Sequence, residues 1–144
     1  MIAQKKKWMS VLLMVMVILT SGITVYAAPN PPETQAKVQP YWSNTFDMSV
    51  WLSIDDGKAM FDASVTGYSG VTKITAKAVL ERINSDGSTV EIDRWDNISS
   101  DSRFLDWGST RYVAKGYTYR LTFTATVYKN GVGEVVSGSK SAQA

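Results

Sequence analysis

The sequence predicts an all-β fold, a sandwich of two antiparallel sheets built from seven strands. Three observations predict it. From Tyr41 onward apolar residues recur at every second position, not at the helical 3.6. Turn-forming clusters interrupt that alternation at intervals of about ten residues. All four prolines lie before Tyr41, so none breaks a strand interior.

The first run places Met48, Val50, Leu52 and Ile54 on one face and Ser49, Trp51 and Ser53 on the other. Asp55-Asp56-Gly57 ends it as a hairpin signal, because Asp and Gly tolerate the positive φ of tight hairpin turns. Ala59, Phe61, Ala63 and Val65 form the apolar face of the second run, closed by Gly67-Tyr68-Ser69-Gly70. Ile74, Ala76, Ala78 and Leu80 form that of the third, which ends at Asn84-Ser85-Asp86-Gly87. Residues 74–83 also contain the helix formers Ala, Leu, Glu and Arg, but their β-branched neighbours and flanking turns favour a strand. Thr89 to Trp95 is the fourth run, with Val90 and Ile92 on one face. Phe104 to Val113 is a less regular fifth, interrupted by Gly108. The sixth is the clearest, with Tyr117, Tyr119, Leu121, Phe123, Ala125 and Val127 opposite a row of threonines and Arg120. Asn130-Gly131 turns it into a seventh, Val132 to Gly138. One-sided alternation is the mark of antiparallel sheets with one wet face.

Lys115-Gly116-Tyr117-Thr118-Tyr119 joins the fifth run to the sixth. In immunoglobulin-like sandwiches a Tyr at this corner bonds its hydroxyl back to the chain. Tyr117 and Tyr119 are the candidates for such a tyrosine corner; the alternative is two ordinary strand tyrosines. The expectation is a seven-stranded antiparallel immunoglobulin-like β-sandwich over residues 41–144, preceded by a signal-peptide helix.

Residues 1–27 have the three parts of a secretory signal. Lys5-Lys6-Lys7 is the positive region, Trp8 to Thr20 the apolar one, and Val25-Tyr26-Ala27 the recognition site, with cleavage between Ala27 and Ala28. An uncleaved anchor over residues 8–28 is the alternative; Thr20, Ser21, Gly22 and Thr24 weaken it, and no positive stop-transfer cluster follows. Residues 28–40 form a proline-rich, flexible lead-in. The chain has 15 Lys+Arg against 13 Asp+Glu, but the leader takes three lysines and no acid with it. The exported part is then slightly acidic, without the basic stripe of a nucleic-acid binder. There is no cysteine, so neither disulfides nor lipid attachment hold the product. The expected location is extracellular, as a freely released protein that touches the membrane only through its leader. A Lys-rich leader on a cysteine-free product suits a Gram-positive source.

Gly57-Lys58, Val65-Thr66-Gly67, Ile74 to Leu80, Trp95, Gly116-Tyr117-Thr118-Tyr119-Arg120, Val127-Tyr128, Asn130-Gly131 and Glu134 together resemble a group of small exported Firmicutes proteins. These carry a signal peptide and one immunoglobulin- or fibronectin-III-like domain. The resemblance runs from about Ser49 to Lys140 and implies fold and location. It brings no activity and no catalytic residue.

With no histidine and no cysteine, the usual nucleophile–base pairs and the commonest zinc and copper ligands are missing. Asp55-Asp56, and Asp93 and Asp96 near Trp95, read as solvated surface acids. Calcium needs only oxygen ligands, which Asp55, Asp56 and Asp86 offer, but their spacing matches no calcium loop. Ser99, Ser100 and Ser102 lack a base and read as loop. Asn97-Ile98-Ser99 fits a glycosylation sequon. Neither an enzyme nor a cofactor is expected.

Trp51 is the candidate ligand-binding residue. If Met48, Val50, Leu52 and Ile54 face the core, Trp51 is exposed, and exposed Trp is a platform for sugar rings and protein partners. The alternatives are a bulge that turns it inward or a role covering a sheet edge. Trp95 and Trp107 read as core or rim packing. Thr118, Thr122, Thr124 and Thr126 read as the wet face of a strand. The functional expectation is a monomeric, non-catalytic module for recognition or adhesion at the cell surface. Its ligand is a protein or glycan, met through strand faces and the loops at 55–58, 67–73 and 98–103. The rivals are a secreted toxin-like effector and a purely structural extracellular protein.

Overall fold

The computed structural model describes residues 41–144; the expected leader, its Ala27–Ala28 cleavage point and the proline-rich lead-in lie outside the described residues. The strands are β1 (Thr45–Asp55), β2 (Lys58–Gly67), β3 (Val71–Ile83), β4 (Thr89–Ser100), β5 (Phe104–Tyr112), β6 (Thr118–Lys129) and β7 (Val132–Gln143). They form two antiparallel sheets in the orders β1-β2-β5 and β4-β3-β6-β7, and the predicted all-β sandwich is the observed one. The fourth strand pairs with the third, so the sheets divide three and four. An immunoglobulin constant domain divides them four and three.

Local turns decide that division. The Asn84 N–H bonds to the Ser88 carbonyl at 2.8 Å, and Asp86 Oδ1 accepts from the Ser88 N–H and hydroxyl at 2.9 and 2.6 Å. So tight a loop returns β4 beside β3 in the same sheet. Asp56-Gly57 (φ 46° and 75°) and Asn130-Gly131 (φ 52° and 76°) have positive φ at both central positions. That is the backbone of the two-residue hairpin turn whose twist matches its strands.

Alternation puts one face of each inner strand into the interface. Ala59, Phe61, Ala63 and Val65 of β2 face Ile74, Ala78 and Leu80 of β3 and Leu121, Phe123, Ala125 and Val127 of β6, all nearly inaccessible. Trp95 and Trp107 join this core from the edge strands. Each stands opposite an alanine in its ladder, Trp95 across from Ala78 and Trp107 across from Ala63, so small residues make room for large ones. With Phe61 and Phe123 they form a chain of ring contacts at 5.0–5.7 Å between centroids. Such pairs add about 0.5–1.5 kcal/mol each beyond area burial.

The β4 register shifts opposite Lys77 and again between Leu80 and Glu81. These bulges overturn the expected alternation: Val90 is exposed, whereas Ile92, Trp95 and Ile98 pack on the core. They also carry β4 through to Ser100, so residues 98–100, expected as loop, are strand. Likewise β3 begins at Val71, within the expected 67–73 loop, and β7 runs on to Gln143.

Candidate functional site

Trp51 lies on the outer face of the three-stranded sheet, 45% exposed, in an unbroken stretch of β1. No bulge turns it inward, because its neighbours Val50 and Leu52 already face the core. Directly across from it is Asp62 on β2, and beyond Asp62 is Gly108 on β5. The adjacent row is Ser49, Ser64 and Asp106, with the two serine hydroxyls 2.8 Å apart. On the other side run Ser53, Met60 and Thr110. Neighbours in such a row have Cβ atoms about 4.5–5.5 Å apart. Gly108 matters because it has no side chain to fill the space beside Asp62. A Cβ there would approach the Phe61 carbonyl oxygen at 3.3 Å. The result is a flat indole, a carboxylate and bare backbone in one line, with hydroxyls alongside. Asp47, Asp55, Asp62 and Asp106 share this face with Lys58, and among the described residues none of the five joins an ion pair.

β1 is an edge strand, and its entry is fixed from the other sheet. The Glu134 carboxylate on β7 accepts the Ser43, Asn44 and Thr45 N–H groups at 2.6, 3.0 and 2.9 Å and the Thr45 hydroxyl at 2.9 Å. The Asn44 side-chain amide donates to the Val127 and Val132 carbonyls at 3.0 and 3.1 Å. The Tyr68 N–H donates to the Asn44 carbonyl at 2.8 Å. Burial works against the ionised Glu134, but the four donors outweigh it and hold the carboxyl below the ordinary glutamate value. This clasp has no signal in the strand period, since Asn44 and Thr45 precede the alternation of Met48 to Ile54 and Glu134 is one polar residue among several.

The other candidates are dispersed. The Tyr119 hydroxyl, on a side chain 1% exposed, donates to the Ala114 carbonyl at 2.7 Å, five residues back across the β5–β6 corner. Tyr117 is outside, its ring beneath the Arg82 guanidinium at 4.5 Å, where the two line a hollow of about 670 Å³ with Asn84 and Asp86. Asp56 pairs with Lys115, and Asp93 with Arg111 at 2.7 Å. Hydrogen bonds from the Ser88 hydroxyl and N–H keep Asp86 below the usual carboxylate range. Among the described residues no three His, Cys, Asp or Glu side chains are grouped to hold a metal ion. Ser102 bonds across its own turn to Phe104. The β6 threonines lie on the outer face of the four-stranded sheet beside Ser137, Ser139 and Ser141 of β7.

No family model and no curated protein matches the sequence. Among solved structures, the chain is similar to the solution structure of R. palustris CsgH, at 11% identity and a TM-score of 0.33. The match covers 62% of this chain and 87% of that one. At that score the likeness carries neither fold nor function across.

Proposed function

We propose that this is an exported, non-catalytic recognition module that binds glycan at the cell surface through the outer face of the three-stranded sheet. The observation that carries the reading is the row Trp51, Asp62, Gly108. An indole face stacks on the C–H groups of a sugar ring. A neighbouring carboxylate accepts from ring hydroxyls, and bare backbone lets the ring approach. A protein partner fits less well, because Asp62 stands directly across from Trp51 with Asp106 in the adjacent row, and the exposed aromatic side chains Phe104 and Tyr112 lie at the two ends of the face. The leader-like residues 1–27 support export. The lack of His and Cys supports a binding role over a catalytic one. The resemblance to small exported Firmicutes proteins is consistent with both.

The test is a glycan array probed with the purified chain and with Trp51→Ala. Binding that falls at least tenfold in the variant, with an unchanged melting temperature, supports the reading. Absence of any bound glycan, or equal binding by the variant, refutes it. Fractionation of the producing cells checks export: the chain should appear in the medium, beginning at Ala28.

A further inference from the structure

The other sheet carries a separate feature. On the outer face of the four-stranded sheet a hollow of about 460 Å³ opens beside β4. Its floor includes Thr75 of β3 and Thr124 of β6, and its walls include Lys73, Lys77, Asn97 and Ser99. The bulge creates it: Asp96 and Asn97 together stand opposite Lys77, and Asn97 takes a left-handed φ of 62°. Two residues against one push the β4 backbone aside at that point. Lys73 and Lys77 point to the same face of β3 with Thr75 between them, their Cα atoms about 13 Å apart by strand rise. Flexible four-carbon stems let both ammonium groups turn toward one group held between them.

Charge separates these lysines from the other cations of the face. Arg94 is paired with Glu91 at 2.7 Å and Arg120 with Glu81 at 2.9 Å. Neither Lys73 nor Lys77 is in an ion pair among the described residues. Asp96 also lines the hollow, so two positive groups stand against one negative. Hydroxyl donors continue away from it as Thr122, Thr126 and Ser139 on the same face.

We propose that this hollow binds a singly charged oxyanion ester, a phosphodiester or sulfate ester, carried on a soluble hydroxylated polymer. The lysines neutralise the ester, the Thr75 and Ser99 hydroxyls and the Asn97 amide donate to its oxygens, and the hydroxyl rows meet the flanking polyol. The site is independent of Trp51, which lies on the opposite sheet.

The experiment is calorimetric titration of the full chain with polyglycerol phosphate, dextran sulfate and neutral dextran, and flotation with phosphatidylglycerol vesicles. Binding of either polyanion but not of dextran, weakened by added salt, is expected. Binding of one polyanion alone assigns the ester as phosphate or sulfate. Lys73→Gln/Lys77→Gln should lose at least tenfold in affinity and Asp96→Asn should gain severalfold, with melting temperatures unchanged. Failure of both polyanions to bind, equal binding of dextran, or an undiminished lysine variant overturns the proposal. Binding to vesicles with none to the soluble polymers places the ester in a lipid head and also overturns it.

Discussion

Glu134→Ala is the substitution that tests most directly how the two sheets are held in register. It removes one carboxylate and with it four acceptor contacts, to the Ser43, Asn44 and Thr45 N–H groups and the Thr45 hydroxyl. Ser43 is exposed, so water replaces its bond at little cost. The other three are partly buried, and at about 1 kcal/mol each the loss is about 3 kcal/mol. A domain of this size loses on the order of 4 °C or more per kcal/mol, so the melting temperature should fall by about 12 °C. Glu134→Gln keeps the shape and one acceptor oxygen but turns an N–H₂ toward one set of donors, and should cost about half as much. The assay is urea unfolding followed by tryptophan fluorescence, with the m-value unchanged. pH adds a second reading. The folded pKa of Glu134 is depressed, so its contribution is fully present above the unfolded value of about 4.3 and is lost as pH falls through the lower folded value. Wild type should therefore lose its advantage over Glu134→Ala on acidification below about pH 4. A variant within about 0.5 kcal/mol of wild type at pH 7, or a gap that does not shrink in acid, refutes the clasp as a stabilising element.

Tyr119→Phe should destabilise by about 1 kcal/mol, because it leaves the Ala114 carbonyl without its donor, whereas Tyr117→Phe should be neutral. Chemical denaturation of both variants compares them. Trp107→Ala should cost about 3 kcal/mol or more, since it removes a ring in contact with Phe61, Trp95 and Phe123. Gly67→Ala should cost about 1–3 kcal/mol, as its Cβ would lie 2.7–2.9 Å from three carbons of the buried Val71 side chain. Thermal melts check both, and a loss under about 0.5 kcal/mol in either contradicts the packing described.

Period-two alternation made most of the fold legible, because half-buried strands must place apolar groups on one face. The alternation of 48–54 located Trp51 on the outer face, and Asp-Gly and Asn-Gly marked two hairpins whose φ values only such residues accept readily. β4 departs from its expected alternation where bulges break the period, and a bulge is set by how the neighbouring strand and core fit together. The clasp of Glu134 on residues 43–45 joins positions about ninety residues apart, so no local pattern announces it.

By itself, then, the sequence determined the class of fold, the number of strands and, except in β4, their inward faces, because these follow from local spacing and turn chemistry. It also determined the absence of histidine and cysteine chemistry. Tertiary structure alone decided that Asp62 and Gly108 stand in line with Trp51. It alone opened a lysine-lined hollow at the β4 bulge. Each of these depends on register between strands distant in sequence, a property of the assembled sheets that no single segment contains.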